Sequence, residues 1–287
     1  MAVVFALSLF SGCKAENPLK EKDKTSSKTA SKAQEVVIPL DISLQRSDAV
    51  AFSGLIAKNN AGKTEGTYFV NYRESADEII ELLEKGEADV GVLQTAEALE
   101  LLKNNEMMRI VAVNKTTDLF ARSKAPIESL DDLKKASILL VGADEATENA
   151  IKKALPKSAS LTVSSNTADD KVLFSSGLYD VVLGDANSIF EFENEEKQAL
   201  SDVSSLFEGL SSFALVAEYE TYLANIKGLE RLEKELSPEA VSAQELIDLY
   251  LADSQEKAQF LAENLKFQIE FLDEEDPFFM GEEAEEK

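Results

Sequence analysis

Residues 82–102, LLEKGEADVGVLQTAEALELL, read as the end of a helix, a tight stop at Gly86, a buried strand and the start of another helix. Residues 173–190, LFSSGLYDVVLGDANSIF, repeat that order. Gly86 corresponds to Gly177, Asp89-Val90 to Asp180-Val181, and each apolar run ends in a short polar corner. Two such units about 90 residues apart predict two similar lobes of one α/β protein.

Upstream of the first unit, Val36–Leu44 reads as an opening strand, with Pro39 pointing to an edge position or a bulge. A helix is expected over Ala49–Ala57 and a strand over residues 67–72. Ser75 and Glu78 have capping-box spacing, and Ala76, Ile79, Ile80 and Leu83 form one helical stripe. After the unit come a helix over Ala96–Lys103 and a strand over Arg109–Val113, which completes a βαβαβαβ order and a mostly parallel sheet.

The stretch after Val113, NKTTDLFARSKAP, suits a crossing between lobes. Beyond it, Ser129 can cap a short helix over Leu130–Lys134, Ile138–Val141 is a strand, and Asp144 can cap a helix bearing Thr147, Ala150, Ile151 and Ala154. Strands over Ser160–Val163 and Tyr179–Leu183, with a helix over Asp169–Ser176 between them, continue the alternation. Phe213–Ala217 is a last apolar strand. The following segments, Tyr219–Ile226, Leu229–Leu236, Ala243–Leu251 and Lys257–Phe271, are amphipathic helices expected to pack back on the first lobe. The tail from Asp273 holds eight acids and one lysine and reads as disordered.

Bulk composition narrows the function. Fifty-four acidic against 29 basic side chains give a net charge of -25, which opposes a nucleic-acid partner, since binders of phosphate need clustered Lys and Arg. Histidine is absent, so the commonest general base and metal ligand are missing. The single cysteine, Cys13, permits neither an intrachain disulfide nor a Cys-based zinc site. No cofactor, metal or catalytic constellation is expected.

Residues 2–10, AVVFALSLF, are too short to span a bilayer, which takes about 20 residues, but suit a signal-peptide core. Leu9–Cys13 resembles a bacterial lipobox, which implies that Cys13 is lipidated. The basic segment usual before such a core is missing, which leaves room for a start upstream of Met1; the alternative is a buried first strand with a free thiol. Residues 14–34, with six lysines, three acids and little to bury, read as a flexible tether.

The stretch ESADEIIELLEKGEADVGVLQT, followed by VAVNKTTDLFARS and IESLDDLKKASILLVGADEATENAIKKAL, resembles the type II periplasmic solute-binding proteins. The closest group is that associated with nitrate, sulfonate and thiamine-precursor uptake. The resemblance covers about Val36–Phe271, and Lys135-Ala136 stands where the family usually has a glycine. It implies a two-lobed α/β fold of type II, with mostly parallel sheets flanked by helices. The resulting division is a lipoprotein signal over 1–13, a tether over 14–35, lobe 1 over 36–114 and 208–272, lobe 2 over 115–207, and an acidic tail over 273–287.

The function implied is a non-catalytic lipoprotein, exported and anchored to the membrane through Cys13, that holds a small molecule between its lobes for an ABC permease. A surface or sensor lipoprotein that keeps the fold without transport is the alternative. Ligand contacts are expected at polar corners beyond the carboxyl ends of strands. In the first lobe these are Gln45, Arg46 and Ser47, then Gln94 and Thr95, and Asn114; in the second, Asp144 with Thr147, and Asp185 with Asn187. Thr95 and Asp144 could instead cap helices, and Arg46 could be a solvated surface charge. Asp89 and Asp180, at the opposite strand ends, are expected to be structural. Carboxylates at the second-lobe corners would repel an oxyanion, so the ligand is expected to be neutral or cationic.

Overall fold

The computed structural model describes residues 38–116, 118–143, 145–164, 167–192, 198–207, 212–236 and 241–281. Cys13 and the preceding apolar run, the tether over 14–35, Asp144 and residues 282–287 of the acidic tail lie outside the described residues.

The amino-terminal half of the body follows the expected alternation: β1 (Leu40–Gln45), α1 (Ala49–Asn60), β2 (Tyr68–Arg73), α2 (Ala76–Glu84), β3 (Val90–Gln94), α3 (Thr95–Asn104) and β4 (Met108–Asn114). Then come β5 (Phe120–Ser123), β6 (Ser137–Val141), α4 (Glu145–Ala154), β7 (Ser160–Ser164), α5 (Thr167–Ser175), β8 (Val181–Gly184), α6 (Ala186–Phe190) and β9 (Ala199–Asp202). The chain closes with β10 (Phe213–Glu218), α7 (Tyr219–Glu235), α8 (Ala243–Asp248), α9 (Gln255–Asn264) and β11 (Ile269–Phe271).

Two sheets result, in the orders β11-β4-β10-β3-β1-β2 and β7-β6-β8-β5-β9. β1 lies between β2 and β3, not at an edge. Pro39 is tolerated because the strand begins only at Leu40, so the missing N–H costs no ladder bond. The sheets are mixed: β10 runs antiparallel to β3 and β4, and β5 runs antiparallel to β8. The reason is the crossing. Each of these strands arrives from the other lobe, at the carboxyl end of its new neighbours, so Phe213 pairs with Gln94 and Phe120 with Gly184.

The repeated unit has the same role in both sheets. Gly86 and Gly177 sit at φ +66° and +81° just past their helices, a conformation that a Cβ would strain. Asp89 exchanges bonds with Asp41: its side chain accepts from the Asp41 N–H at 2.8 Å and its own N–H donates to the Asp41 carbonyl at 2.9 Å. Asp180 does the same to Ser137, at 2.8 Å in both directions. These aspartates staple the start of one strand to the start of its neighbour, far from the polar corners.

Period-two alternation distributes the second core. Ile138 and Leu140 of β6 face Ile151, whereas Leu139 and Val141 face the other way, toward Ala186 and Ile189 of α6. That second face is covered by Leu246 of α8 with Ala258 and Leu261 of α9, and Val50 of α1 joins the same cluster. The carboxyl-terminal helices are therefore divided. α7, one continuous helix, packs Leu229 and Leu232 on the first sheet, while α8 and α9 pack on the second.

Three further expectations are corrected. Phe120–Ser123 and Ala199–Asp202 are strands, so the crossing is shorter than the stretch NKTTDLFARSKAP. The last helix stops at Asn264, and Ile269–Phe271 pairs antiparallel with β4, whose open edge favours an aromatic, β-branched stretch as a strand. The tail is ordered through Met280: Pro277–Met280 form a turn of 3-10 helix, and Phe279, 1 % exposed, packs edge-on to Tyr222.

Candidate functional site

The chain passes from one sheet to the other between β4 and β5, between β9 and β10, between α7 and α8 and between α9 and β11. A cavity of about 240 Å³ is lined by Thr116 and Asp118 of the first passage, Ser212 before β10 and Lys266 of the last. Its walls come from the carboxyl ends of strands in both lobes. Ser47 and Asp48 follow β1, Gln94 ends β3, and Asn114 ends β4. Gly142 follows β6, Gly184 and Asp185 close β8, and Thr147 projects from α4. Val50, Phe213, Leu261, Leu265 and Phe267 supply an apolar lining.

Among the expected contacts, the structure brings together Ser47, Gln94, Asn114, Thr147, Asp185 and Asn187. Gln45, Arg46 and Thr95 are elsewhere. Arg46 is exposed and donates to the Tyr250 carbonyl, so its guanidinium holds a turn rather than a ligand. Thr95 is neither the cap of α3 nor part of the wall: its N–H and its hydroxyl both donate to the Ser212 carbonyl. α3 is closed at its start by Glu97, which accepts from the Gln94 N–H at 3.1 Å.

Asn114 is the junction of the crossings. Its side-chain oxygen accepts from the Thr116 N–H and hydroxyl, both at 3.3 Å, and from the Gln268 N–H at 2.8 Å. Its carbonyl accepts from the Ser212 hydroxyl at 2.5 Å. The residue is only 9 % exposed. Three crossing segments thus meet on one residue, two at its side chain and one at its carbonyl.

Sequence reasoning missed the strongest charges. Asp48 precedes α1 in the helix-cap position but adopts helical backbone angles, φ -77° and ψ -18°, and its side chain caps nothing. Burial, then the negative charges of Glu97 and Asp185, push its carboxyl up to about 7. Asp118 lies in the first crossing, which reads as a linker, and accepts from the Lys266 N–H at 3.0 and 3.1 Å. Burial, with Asp185 and Asp202 nearby, pushes it up to about 7 as well, against that bond. An Asp directly before an apolar helix was the available signal for Asp48; nothing local marks Asp118.

Asp185 combines the two roles considered for it. It caps α6, accepting from the Ser188 N–H at 2.6 Å, and it lines the cavity. Its side chain is wetted by the cleft yet hemmed in by both lobes, and this desolvation raises its pKa despite the cap bonds and Lys257. Gly142, at φ +68°, allows this close packing, since a Cβ there would fall 2.3 Å from the Ser188 hydroxyl. Among the described residues, three carboxylates therefore face the cavity against one ammonium, that of Lys266, which pairs with Asp202.

No protein-family model matches the sequence, and no curated protein matches it. Solved structures do. The periplasmic aliphatic sulphonate binding protein of Escherichia coli is 14 % identical with a TM-score of 0.54, over 83 % of this chain and 87 % of that one. The zinc-bound ligand-binding component of an ABC-type import system from Staphylococcus aureus is 10 % identical with a TM-score of 0.54, over 80 % and 84 %. An ABC transporter protein from Parabacteroides distasonis is 13 % identical with a TM-score of 0.56, over 81 % and 86 %. The chain has the two-lobed fold of ABC-type solute-binding proteins.

Proposed function

We propose that this protein is the solute-binding component of an ABC importer, which takes a small molecule into the cavity between its lobes and passes it to a permease. The observation that carries the reading is the cavity itself, walled by the carboxyl ends of strands from both sheets beside the chain crossings. In open α/β sheets ligands bind at such ends, and lobes joined by a few crossings can close around them. Three carboxylates on the cavity wall, Asp48, Asp118 and Asp185, favour a neutral or cationic ligand, unlike the sulphonate named for the Escherichia coli relative in fold. The role is binding without turnover. Anchoring through a lipidated Cys13 would hold the body beside the permease.

A thermal-shift screen of small metabolites on the purified protein tests the reading. A ligand present at 100 times its dissociation constant adds about 2.7 kcal/mol. Silence across a broad panel, together with no permease or ATPase gene beside this one, would refute transport and leave a surface or sensor role. Separately, a Cys13→Ser protein should leave the membrane fraction; retention there would refute the anchor.

A further inference from the structure

We propose that the cavity takes a ligand with two unlike ends, a protonated nitrogen at the acidic wall that carries Asp48, Asp118 and Asp185, and a hydrogen-bond acceptor facing the Nδ2 of Asn114. The inference rests on the solute-binding reading and specifies its ligand class, a small organic cation that also carries a carbonyl or equivalent acceptor.

Asn114 defines the acceptor end. Its Oδ1 receives three hydrogen bonds, which fixes the orientation of the amide, since a flipped group would set an N–H against those donors. Nδ2 is then the free end. It finds no acceptor among the described residues, although the residue is nine-tenths buried and lines the cavity. A donor left open toward the cavity is one that a ligand oxygen can satisfy.

The carboxylates define the cationic end. The Asp48 carboxyl accepts no hydrogen bond among the described residues, and the causes that raise its pKa are burial and neighbouring negative charge only. Asp185 acts on both Asp48 and Asp118, so its charge reaches Asp48 in the first lobe and Asp118 in the crossing. The nearby cations are occupied: Lys266 pairs with Asp202, and Lys257 with Glu191 at 3.1 Å. An incoming ammonium or amidinium would relieve this repulsion and supply the missing donors at once. A bare metal ion fits less well, because among the described residues no group of three or more acidic side chains is arranged to hold one. The apolar wall of Val50, Phe213 and Leu261 suits a carbon frame between the two ends.

Four three-carbon probes separate the contributions: β-alaninamide with both ends, propylammonium with only the cation, propionamide with only the acceptor, and propanesulfonate as the anion. Calorimetry and thermal shift at matched ionic strength and pH 8 should rank them in that order, with no binding of the sulfonate. Asp48→Asn should weaken β-alaninamide and propylammonium about tenfold or more while sparing propionamide. Asp118→Asn provides an independent variant with the same expectation. The inference is overturned if propanesulfonate binds best, if propionamide equals β-alaninamide in affinity, if none of the four binds, or if both variants bind the cations unchanged. Binding of anions alone from a broad metabolite panel would overturn the ligand class and keep the solute-binding reading; silence from that panel would overturn both.

Discussion

The side-chain oxygen of Asn114 accepts a hydrogen bond from the Gln268 N–H at 2.8 Å, tying the first passage of the chain out of the first lobe to its last return. The same oxygen holds Thr116, and the Asn114 carbonyl holds Ser212, so one residue gathers three passages at the mouth of the cavity. Asn114→Ala would remove the shared acceptor of the Gln268 N–H and the Thr116 N–H, both in part-buried bonds beside the cleft. The expected loss is about 1–2 kcal/mol in urea-induced unfolding, since water can reach part of the freed groups. An unchanged midpoint would mean that the crossings are held together by other contacts.

The acid-base behaviour of the unliganded protein should be unusual. Asp48 and Asp118 keep their protons to about 7 in the folded state, whereas in the unfolded chain they lose them near 3.8. Folding therefore binds protons between those values, and these two groups contribute stability at low pH that is lost as pH rises from 3.8 through about 7. At about 1.4 kcal/mol for each factor of ten, the loss approaches on the order of 4 kcal/mol per group at full burial, and less where cleft water screens the charge. Asp180, whose pKa is lowered first by the Ser137 N–H and then by its hydroxyl, works in the opposite sense: its contribution is present above 3.8 and is lost as pH falls further. Unfolding measured at pH 5 and pH 8 should show greater stability at pH 5, and Asp48→Asn should shrink the difference. A rise in stability over that interval, with no effect of the substitution, would contradict the assignment.

Lys135 adopts φ +63°, a left-handed conformation, in the position where the resembling family has glycine. The turn thus keeps its shape at the expense of a strained Cβ. Lys135→Gly should stabilise the protein by about 0.5–1 kcal/mol, the relief outweighing the greater freedom of glycine in the unfolded chain. Thermal unfolding reads the sign directly, and a lower melting temperature would show that the lysine side chain has compensating contacts.

Phe279 is buried to 1 % exposure at the end of a segment rich in acids, against Tyr222 of α7. Phe279→Ala should cost about 3–5 kcal/mol, a full core penalty. A loss below 1 kcal/mol would return the segment to the surface role that its composition suggests.

Most of the frame was legible because it rests on local signals. Gly86 and Gly177 mark helix stops, Ser75 marks a start through its bond to the Glu78 N–H at 3.3 Å, and alternation of helices with short apolar strands predicts the layers. What stayed hidden depends on contacts distant in sequence. Ile269–Phe271 is apolar enough for either a helix or a strand, and only the open edge of β4 decides. The cavity divides in the same way. Ser47, Asn114 and Asp185 follow strands and so could be placed by position, whereas Asp118 becomes a site residue only because the chain from Lys266 returns beside it. Thr95 had the right position but gave its hydroxyl to Ser212, a partner 117 residues away.

The placement of α8 and α9 has a consequence for the order in which the molecule can be made. Leu139 and Val182 of the second sheet are covered by Leu246, Ala258 and Leu261, residues that leave the ribosome after both sheets have received nearly all their strands. Until then that face is open and apolar. Closing it requires contacts spanning about 100 residues, which slows the search and exposes the intermediate to aggregation. A chain cut short before residue 243 should therefore collect in the insoluble fraction instead of yielding one finished half, because the second lobe is completed only by the carboxyl-terminal helices.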